Sequence, residues 1–290
     1  MKPRIMMISM KSNLRTMRYI GLLLMFIFCL TAQNIMAQRG KLFNSDNQLS
    51  SNLATQVFQD SNGFIWIATR NGLNIYDGYN FMVIKKAYNN SNGLNSNYIN
   101  CITQDEKGRI VLGTNKSLLI LNGNRYCNVP MLDSRNKPIN TYVTQVSRLH
   151  NGDIAVATSG YGIMTKKIDA NACYTMKGEV ENLKYIHKIL EDKQERLWII
   201  LENGKLLRKE KNGKLVSRIM GTEQLNTQDI RQDDKGNIYL ATKNDGVYLL
   251  KAGSTIFTKI AGIGNLPIDN IYISRDQRLF IGCDGMGIFV

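Results

Sequence analysis

The 290-residue sequence predicts an all-β fold, a β-propeller of four-stranded blades, and three observations predict it. A strand–turn–strand pattern starts at residues 57, 102, 146, 189, 230 and 271. Its turns fall at Gly63, Gly108, Gly152, Glu195, Gly236 and Gln277, separated by 45, 44, 43, 41 and 41 residues. Each unit reads as strands, and no amphipathic helix is evident after residue 38. Four strands in about 40 to 45 residues is the length of a propeller blade, whereas leucine-rich or ankyrin units are shorter and need helices. A β-sandwich would have to reproduce six matched units by coincidence, although a fixed period marks repeat architectures.

The chain opens on a segment that precedes the fold. Lys2, Arg4, Lys11, Arg15 and Arg18 stand before the apolar run "YIGLLLMFIFCL" (19–30), no acidic residue occurs before Asp46, and Ala37 is a plausible cleavage point. That order of basic, apolar and small residues predicts a secretory signal over 1–37, leaving 38–290 for the propeller. The apolar run is shorter than the roughly 20 residues of a membrane span. The stretch before Tyr19 is long for a signal, so Met10 or Met17 is an alternative start.

Within a unit, a short alternating run such as "ATQVFQD" or "YINCITQD" leads to an Asp-x-x-Gly turn. There the Asp side chain can accept from the backbone and Gly tolerates a positive φ. An apolar five-mer follows: "IWIAT", "IVLGT", "IAVAT", "LWIIL", "IYLAT" or "LFIGC". These bulky and β-branched residues suit a buried strand, and the run is too short for a helix. A loop of two or three residues then opens a third strand such as "GLNIY", and a fourth, weaker one such as "FMVIKK" completes the unit. In units three, four and six, His150-Asn151 replace the turn Asp and Glu195 and Gln277 replace the turn Gly. The sixth unit stops after its third strand, and "KLFNS" (41–45) reads as an outer strand able to complete it, giving six blades.

Without the signal's five basic residues the formal charge of +14 becomes +9. The positive residues are spread along the chain, which suits a soluble basic surface, and export argues against nucleic acid as a partner. Cys29 leaves with the signal, and Cys101, Cys127, Cys173 and Cys283 remain, with no C-x-x-C pair. Cys101 and Cys283 lie in strand-like runs and are expected as free buried thiols, although export permits disulfides.

At "LSSNLATQVFQDSNGFIWIATRNGLNIYDGYNF" (49–81) the chain resembles the two-component regulator propeller repeat, and "GLNSNYINCITQDEKGRIVLGT" (93–114) resembles its entry into the next blade. The resemblance covers essentially all of residues 41–290. It implies the periplasmic sensor region of a hybrid two-component system of gut Bacteroidetes. Such proteins are similar in plan: two seven-bladed propellers and an immunoglobulin-like domain outside the membrane, then a helix, a histidine kinase, a receiver and often a DNA-binding module. Many respond to oligosaccharides. The resemblance thus implies an oligosaccharide or other small ligand, further propeller and signalling domains as partners, a homodimer of the intact parent, an inner-membrane anchor, and seven blades with the last one missing. Nothing in the sequence matches the kinase, receiver or DNA-binding parts, and it ends inside "GIFV", as expected of a sensor fragment or truncated product.

No catalytic motif stands out. His150 and His187 have no partner at metal-ligand spacing, and no G-x-S-x-G, H-E-x-x-H or Walker loop occurs. The turn residues Asp60, Asp105, Asp192 and Asp233 stand a blade apart, which suits turn capping rather than calcium. Trp66 and Trp198 share one repeat position and are expected to pack; Gly160-Tyr161-Gly162 and Gly285-Met286-Gly287 read as loops opening a strand. No metal or cofactor is expected. Ligand contacts are expected in the loops after the second strands, which should share one face near the axis. The candidates are Arg70, Asn71, Asn115, Lys116, Ser159, Tyr161, Glu202, Asn203, Lys243, Asp245 and Asp284. Two other functions fit such a scaffold: an enzyme similar to streptogramin lyase, needing a clustered His or acid pair on that face, or a structural, protein-binding propeller.

Overall fold

The computed structural model describes residues 42–87 and 93–290, so the expected signal over 1–37 lies outside the described residues. Two compact units divide the chain at Phe43. Of the first, Leu42 and Phe43 are described, and neither lies in a strand; the second, Asn44–Val290, carries every strand among the described residues, which contain no helix.

The second unit is a succession of six sheets, each built on consecutive antiparallel strands, the blades of a β-propeller. Blade one is Ala54–Gln59 (β1), Ile65–Thr69 (β2), Gly72–Tyr76 (β3) and Phe81–Ile84 (β4). Blade two is Ile99–Gln104 (β5), Ile110–Thr114 (β6), Leu118–Asn122 (β7) and Arg125–Val129 (β8). A small hairpin, Met131–Leu132 (β9) and Pro138–Ile139 (β10), precedes blade three, which is Tyr142–Arg148 (β11), Ile154–Ser159 (β12), Ile163–Lys166 (β13) and Cys173–Thr175 (β14). Blade four is Ile186–Glu191 (β15), Leu197–Leu201 (β16), Leu206–Lys209 (β17) and Leu215–Val216 (β18). Blade five is Thr227–Gln232 (β19), Ile238–Thr242 (β20), Val247–Leu250 (β21) and Thr258–Lys259 (β22). Blade six is Ile268–Ile273 (β23), Leu279–Cys283 (β24) and Gly287–Phe289 (β25).

Two expectations need correction. Blade three is a six-stranded sheet, because β9 pairs in parallel with the outer strand β14 and brings β10 with it. Met131 is driven there by burial: it packs beside Cys173 in the core between blades two and three. Residues 42–45, the described part of "KLFNS", form no strand, and blade six has three strands.

The blades stack face to face, and the apolar five-mers fill the spaces between them. Trp66 and Ala68 of blade one meet Ile99, Ile110 and Leu112 of blade two. Trp198 and Ile200 of blade four meet Ile230, Ile238 and Leu240 of blade five. Both faces of each interior blade are therefore buried, which explains why these second strands read as continuous apolar runs. A fully buried residue of this size contributes about 2–3 kcal/mol of transfer free energy.

A second device joins the inner strands β1, β5, β11, β15, β19 and β23. Each carries a β-bulge in its pairing with the second strand, at its second residue or, in β11, at its third, Thr144. The extra residue breaks strict alternation, and side chains at the bulge and at the residue after it reach the next blade. Thr55 donates to Ile99 O (2.6 Å), Asn100 to Val143 O (2.8 Å) and Thr144 to Ile186 O (2.7 Å). At the residue after the bulge, Gln56, Gln145 and Asp229 accept from the N–H of Ile102, Ile189 and Ile271 at 3.0, 2.8 and 3.0 Å. Blades four and five are joined at this level by Lys188 Nζ and the fully buried Asp229, 3.0 Å apart.

Candidate ligand-binding face

Each inner strand begins on one face of the propeller and ends at a tight turn on the other, and the turn face is structural. Asp60 Oδ1 accepts from the N–H of Asn62 and Phe64, while its Oδ2 accepts from the Trp66 indole at 2.8 Å. Asp192 repeats this with Gln194, Arg196 and Trp198, the indole at 2.7 Å. Trp66 and Trp198 are thus buried packing residues, as expected, and also partners of the turn carboxylates. Gly63 has a φ of +90°, and Glu195 and Gln277 hold the same place with φ of +59° and +63°. In blade three the residue at the turn-Asp position is Leu149, not His150-Asn151: its N–H donates to Asp153 O, as Asp60 N does to Phe64 O. His150 follows, and its N–H and Nδ1 both meet Glu191 Oε2 of blade four.

The opposite face gathers the loops after the second strands. Arg70 N donates to Leu53 O, Asn115 N to Tyr98 O, Glu202 N to Tyr185 O, Lys243 N to Asn226 O and Asp284 N to Pro267 O. Each loop is thereby pinned to the start of its own inner strand. Links to the next blade complete the weave: Gly72 N to Asn97 O, Thr141 N to Lys116 O, Gly162 N to Lys184 O and Thr227 N to Gly204 O, all 2.8–3.0 Å. Gly162 is required here, since at φ +72° a Cβ would lie 2.1 Å from Leu183 O. The loops are rigid and share a face, as function on a propeller scaffold needs.

The candidate residues occupy this face unequally. Arg70, Asn71, Asn115, Lys116, Tyr161, Glu202, Asn203, Lys243 and Asp284 are exposed, and Ser159 is half-buried. Asp245 is already engaged: its carboxylate takes Lys259 Nζ at 2.6 Å and the Tyr248 hydroxyl. The Lys259 and Tyr248 bonds hold Asp245 below the usual carboxylate range, and burial with the Asp245 bond pushes Tyr248 up to about 12. Asn203 borders an open groove of about 630 Å³ between blade four and the segment that leads to blade five, with Arg218, Glu223, Gln224 and Asn226.

Tyr98, Tyr142 and Tyr185 were not among the sequence candidates. They hold one register position at the start of the inner strands of blades two, three and four. The Tyr98 and Tyr142 rings lie 6.0 Å apart, edge to face, with hydroxyls 3.5 Å apart. The Arg70 guanidinium sits 5.4 Å over the Tyr98 ring. Partial burial and the Tyr98 hydroxyl raise the Tyr142 pKa well above that of a free phenol. The signal was present in the sequence: Tyr98-Ile99-Asn100, Tyr142-Val143-Thr144 and Tyr185-Ile186-His187 repeat one motif.

His187 occupies the bulge position of β15, and burial lowers its pKa, leaving it neutral at neutral pH. It therefore lies in the wall lining the axis, whereas His150 lies on the turn face. Among the described residues, no group of three or more His, Cys, Asp or Glu is placed to hold a metal. Cys101 and Cys283 are free and buried, as expected; Cys173 is too, and Cys127 is free and exposed. Burial raises Cys101 and Cys173 to about 12, so neither is a nucleophile at neutral pH. No helix among the described residues is long and apolar enough to cross a membrane.

Comparison with known proteins agrees with this architecture. The two component regulator propeller family matches residues 48–71 and 93–116. The chain is similar to the extracellular domain of a putative one component system from B. thetaiotaomicron, with a TM-score of 0.61 at 15% identity over 82% of this chain and 39% of that one. It is similar to PorZ, a surface component of the type-IX secretion system of Porphyromonas gingivalis: TM-score 0.66, 12% identity, 86% of this chain and 41% of that one. It is also similar to virginiamycin B lyase from Staphylococcus aureus, with a TM-score of 0.59 and 11% identity over 81% of this chain and 78% of that one. At these identities the likeness shows the fold, and the chain spans about two fifths of the length of the first two. No curated protein matches the sequence.

Proposed function

We propose that this chain, which carries two-component regulator propeller repeats, is the ligand-sensing propeller of a hybrid two-component system. On this reading it is exported to the periplasm behind the segment 1–37. It detects an oligosaccharide and passes occupancy to a kinase in the same parent protein, which would be homodimeric and anchored in the inner membrane. The observation that carries the reading is the single face on which backbone hydrogen bonds gather the polar loops of all the repeats. Arg70, Asn71, Lys116, Ser159, Tyr161, Asn203, Lys243 and Asp284 supply donors and acceptors of the kind that recognise hydroxyls or carboxylates. Asp245 instead fixes its loop through Lys259 and Tyr248.

Titration calorimetry of the purified chain against plant and host oligosaccharides tests the sensing half. Saturable heat with one class is expected, and no heat with any class overturns it. A reading frame lacking any membrane-spanning or kinase segment overturns the signalling half. A lyase is the second reading, favoured by the 78% of the virginiamycin B lyase chain that is matched. It needs a histidine or acid pair on the loop face, whereas His150 lies on the turn face. Loss of quinupristin on incubation with the chain would favour it.

A further inference from the structure

The loop face carries aromatic side chains at one repeated position, and only in consecutive blades. At the residue before the inner strand's first inward position stand Leu53, Tyr98, Tyr142, Tyr185, Asn226 and Pro267. Three tyrosines thus follow one another through blades two, three and four. Tyr142 and Tyr185 are 38% and 58% exposed, and Tyr161 from the neighbouring loop of blade three is 42% exposed. Folding leaves these large apolar faces in water although nothing in the repeat requires it: blades five and six use Asn226 and Pro267 at the same place. Two of the rings are also held in place, and the backbone of the third is fixed. Tyr98 and Tyr142 pack edge to face, and Arg70 lies over the Tyr98 ring. The Tyr98 and Tyr185 carbonyls accept from the loops of their own blades. Rigid tyrosines offer contact area at low entropic cost, with a hydroxyl at the rim to hydrogen-bond a ligand.

The row has polar ends. Arg70 closes it at blade one. At blade five it reaches Asn226, which lines the 630 Å³ groove with Asn203, Arg218, Glu223 and Gln224. The sequence of surfaces is therefore the Arg70 cation capping Tyr98, the exposed rings of Tyr142 and Tyr185, and a groove of amides and charges. A ligand matched to it is elongated, has repeated flat faces of C–H groups, and bears hydroxyls at its edges. We propose that Tyr142 and Tyr185, backed by the Arg70-capped Tyr98, form a stacking track for consecutive sugar rings of a linear oligosaccharide, which continues into the groove beside Asn203 and Asn226. This rests on the oligosaccharide reading above and assigns the contacts that reading left open. A single sugar covers one ring of the track and binds weakly; a longer chain engages both rings and the groove.

The test uses the full chain and hexasaccharides of glucose, xylose and galacturonate, titrated with and without substitution. Whichever hexasaccharide binds should bind at least about tenfold more tightly than its monosaccharide. Tyr142→Ala and Tyr185→Ala should each weaken it by about tenfold. Tyr142→Phe, which keeps the ring, should stay within about twofold. Tyr174→Ala, an exposed tyrosine of the outer strand β14, should leave binding unchanged. An unfolding transition matching the unsubstituted chain shows that a weakened variant is folded. If a hexasaccharide binds and the alanine variants bind it equally, the track is wrong and the sensing reading stands. If Tyr174→Ala weakens binding as much, the track is again wrong. If no hexasaccharide binds the unsubstituted chain, both fail together.

Discussion

Asp192 accepts four hydrogen bonds at once, from two backbone N–H groups, the Arg196 guanidinium and the Trp198 indole, while fully buried. Removing it leaves those donors unsatisfied in a low-dielectric setting. Asp192→Ala is therefore expected to cost about 3 kcal/mol or more, read as a lowered urea midpoint, whereas Asp192→Asn should cost less by keeping one acceptor. At the same turn, Glu195 holds a φ of +59° where most other blades use glycine. Its ion pair with Lys211 is solvent-exposed and worth little. Glu195→Gly should therefore stabilise the chain by about 1 kcal/mol, measured the same way; a loss of stability would show that the Lys211 pair outweighs the backbone strain. Much at this scale was legible. The turn aspartates, the exceptional Glu195 and Gln277, and the buried place of Trp66 and Trp198 all follow from aligning the repeats. Leu149 was not legible as the turn residue of blade three, because it is apolar where a turn calls for a polar side chain, and the backbone bonds that define the register are not written in side-chain type.

Between elements, the inner-strand clamp was illegible, and for a physical reason. Strict alternation puts Thr55 and Gln56 on opposite faces, yet the bulge at the second residue lets both reach blade two. Only the register reveals it. The charged version between blades four and five makes it testable. Burial alone would raise the Asp229 pKa, but the charges of Lys188 and Arg231 and the Ile271 N–H outweigh it and hold it below the ordinary carboxylate value. A carboxyl depressed in the folded state contributes stability above its unfolded pKa and loses it as pH falls. The chain should therefore lose stability on acidification from about pH 5 downward. Lys188→Met should cost about 3 kcal/mol at neutral pH, because it strips a close partner from a buried charge. Asp229→Asn should flatten the acid limb of the stability profile. Urea titrations at several pH values would decide, and an acid limb unchanged by Asp229→Asn would show that other carboxylates set it.

At the scale of the whole propeller, the two end blades differ from those between them. Val57 is 62% exposed, whereas Ile102, Val146, Ile189, Ile230 and Ile271 at the same inner-strand position are at most 4% exposed. Ile288 is 72% exposed, whereas Leu73, Leu118, Ile163, Leu206 and Val247 at its position in the third strand are again at most 4%. Inner strands β1 and β23 do not pack on one another as neighbouring inner strands do. Blade one treats part of its free face as a terminal repeat does, with polarity. Where blades two to four place Leu119, Met164 and Leu207, it has Asn74, fully buried beneath Ser50, whose N–H it accepts and whose hydroxyl it meets at 2.9 Å. Val57→Asp should therefore change the stability read from urea unfolding by no more than about 0.5 kcal/mol. Ile102→Asp, the same change in a covered blade, should cost more than about 4 kcal/mol, since it buries an unpaired charge. Equal damage from Val57→Asp and Ile102→Asp would mean that the first blade's outer face is covered after all.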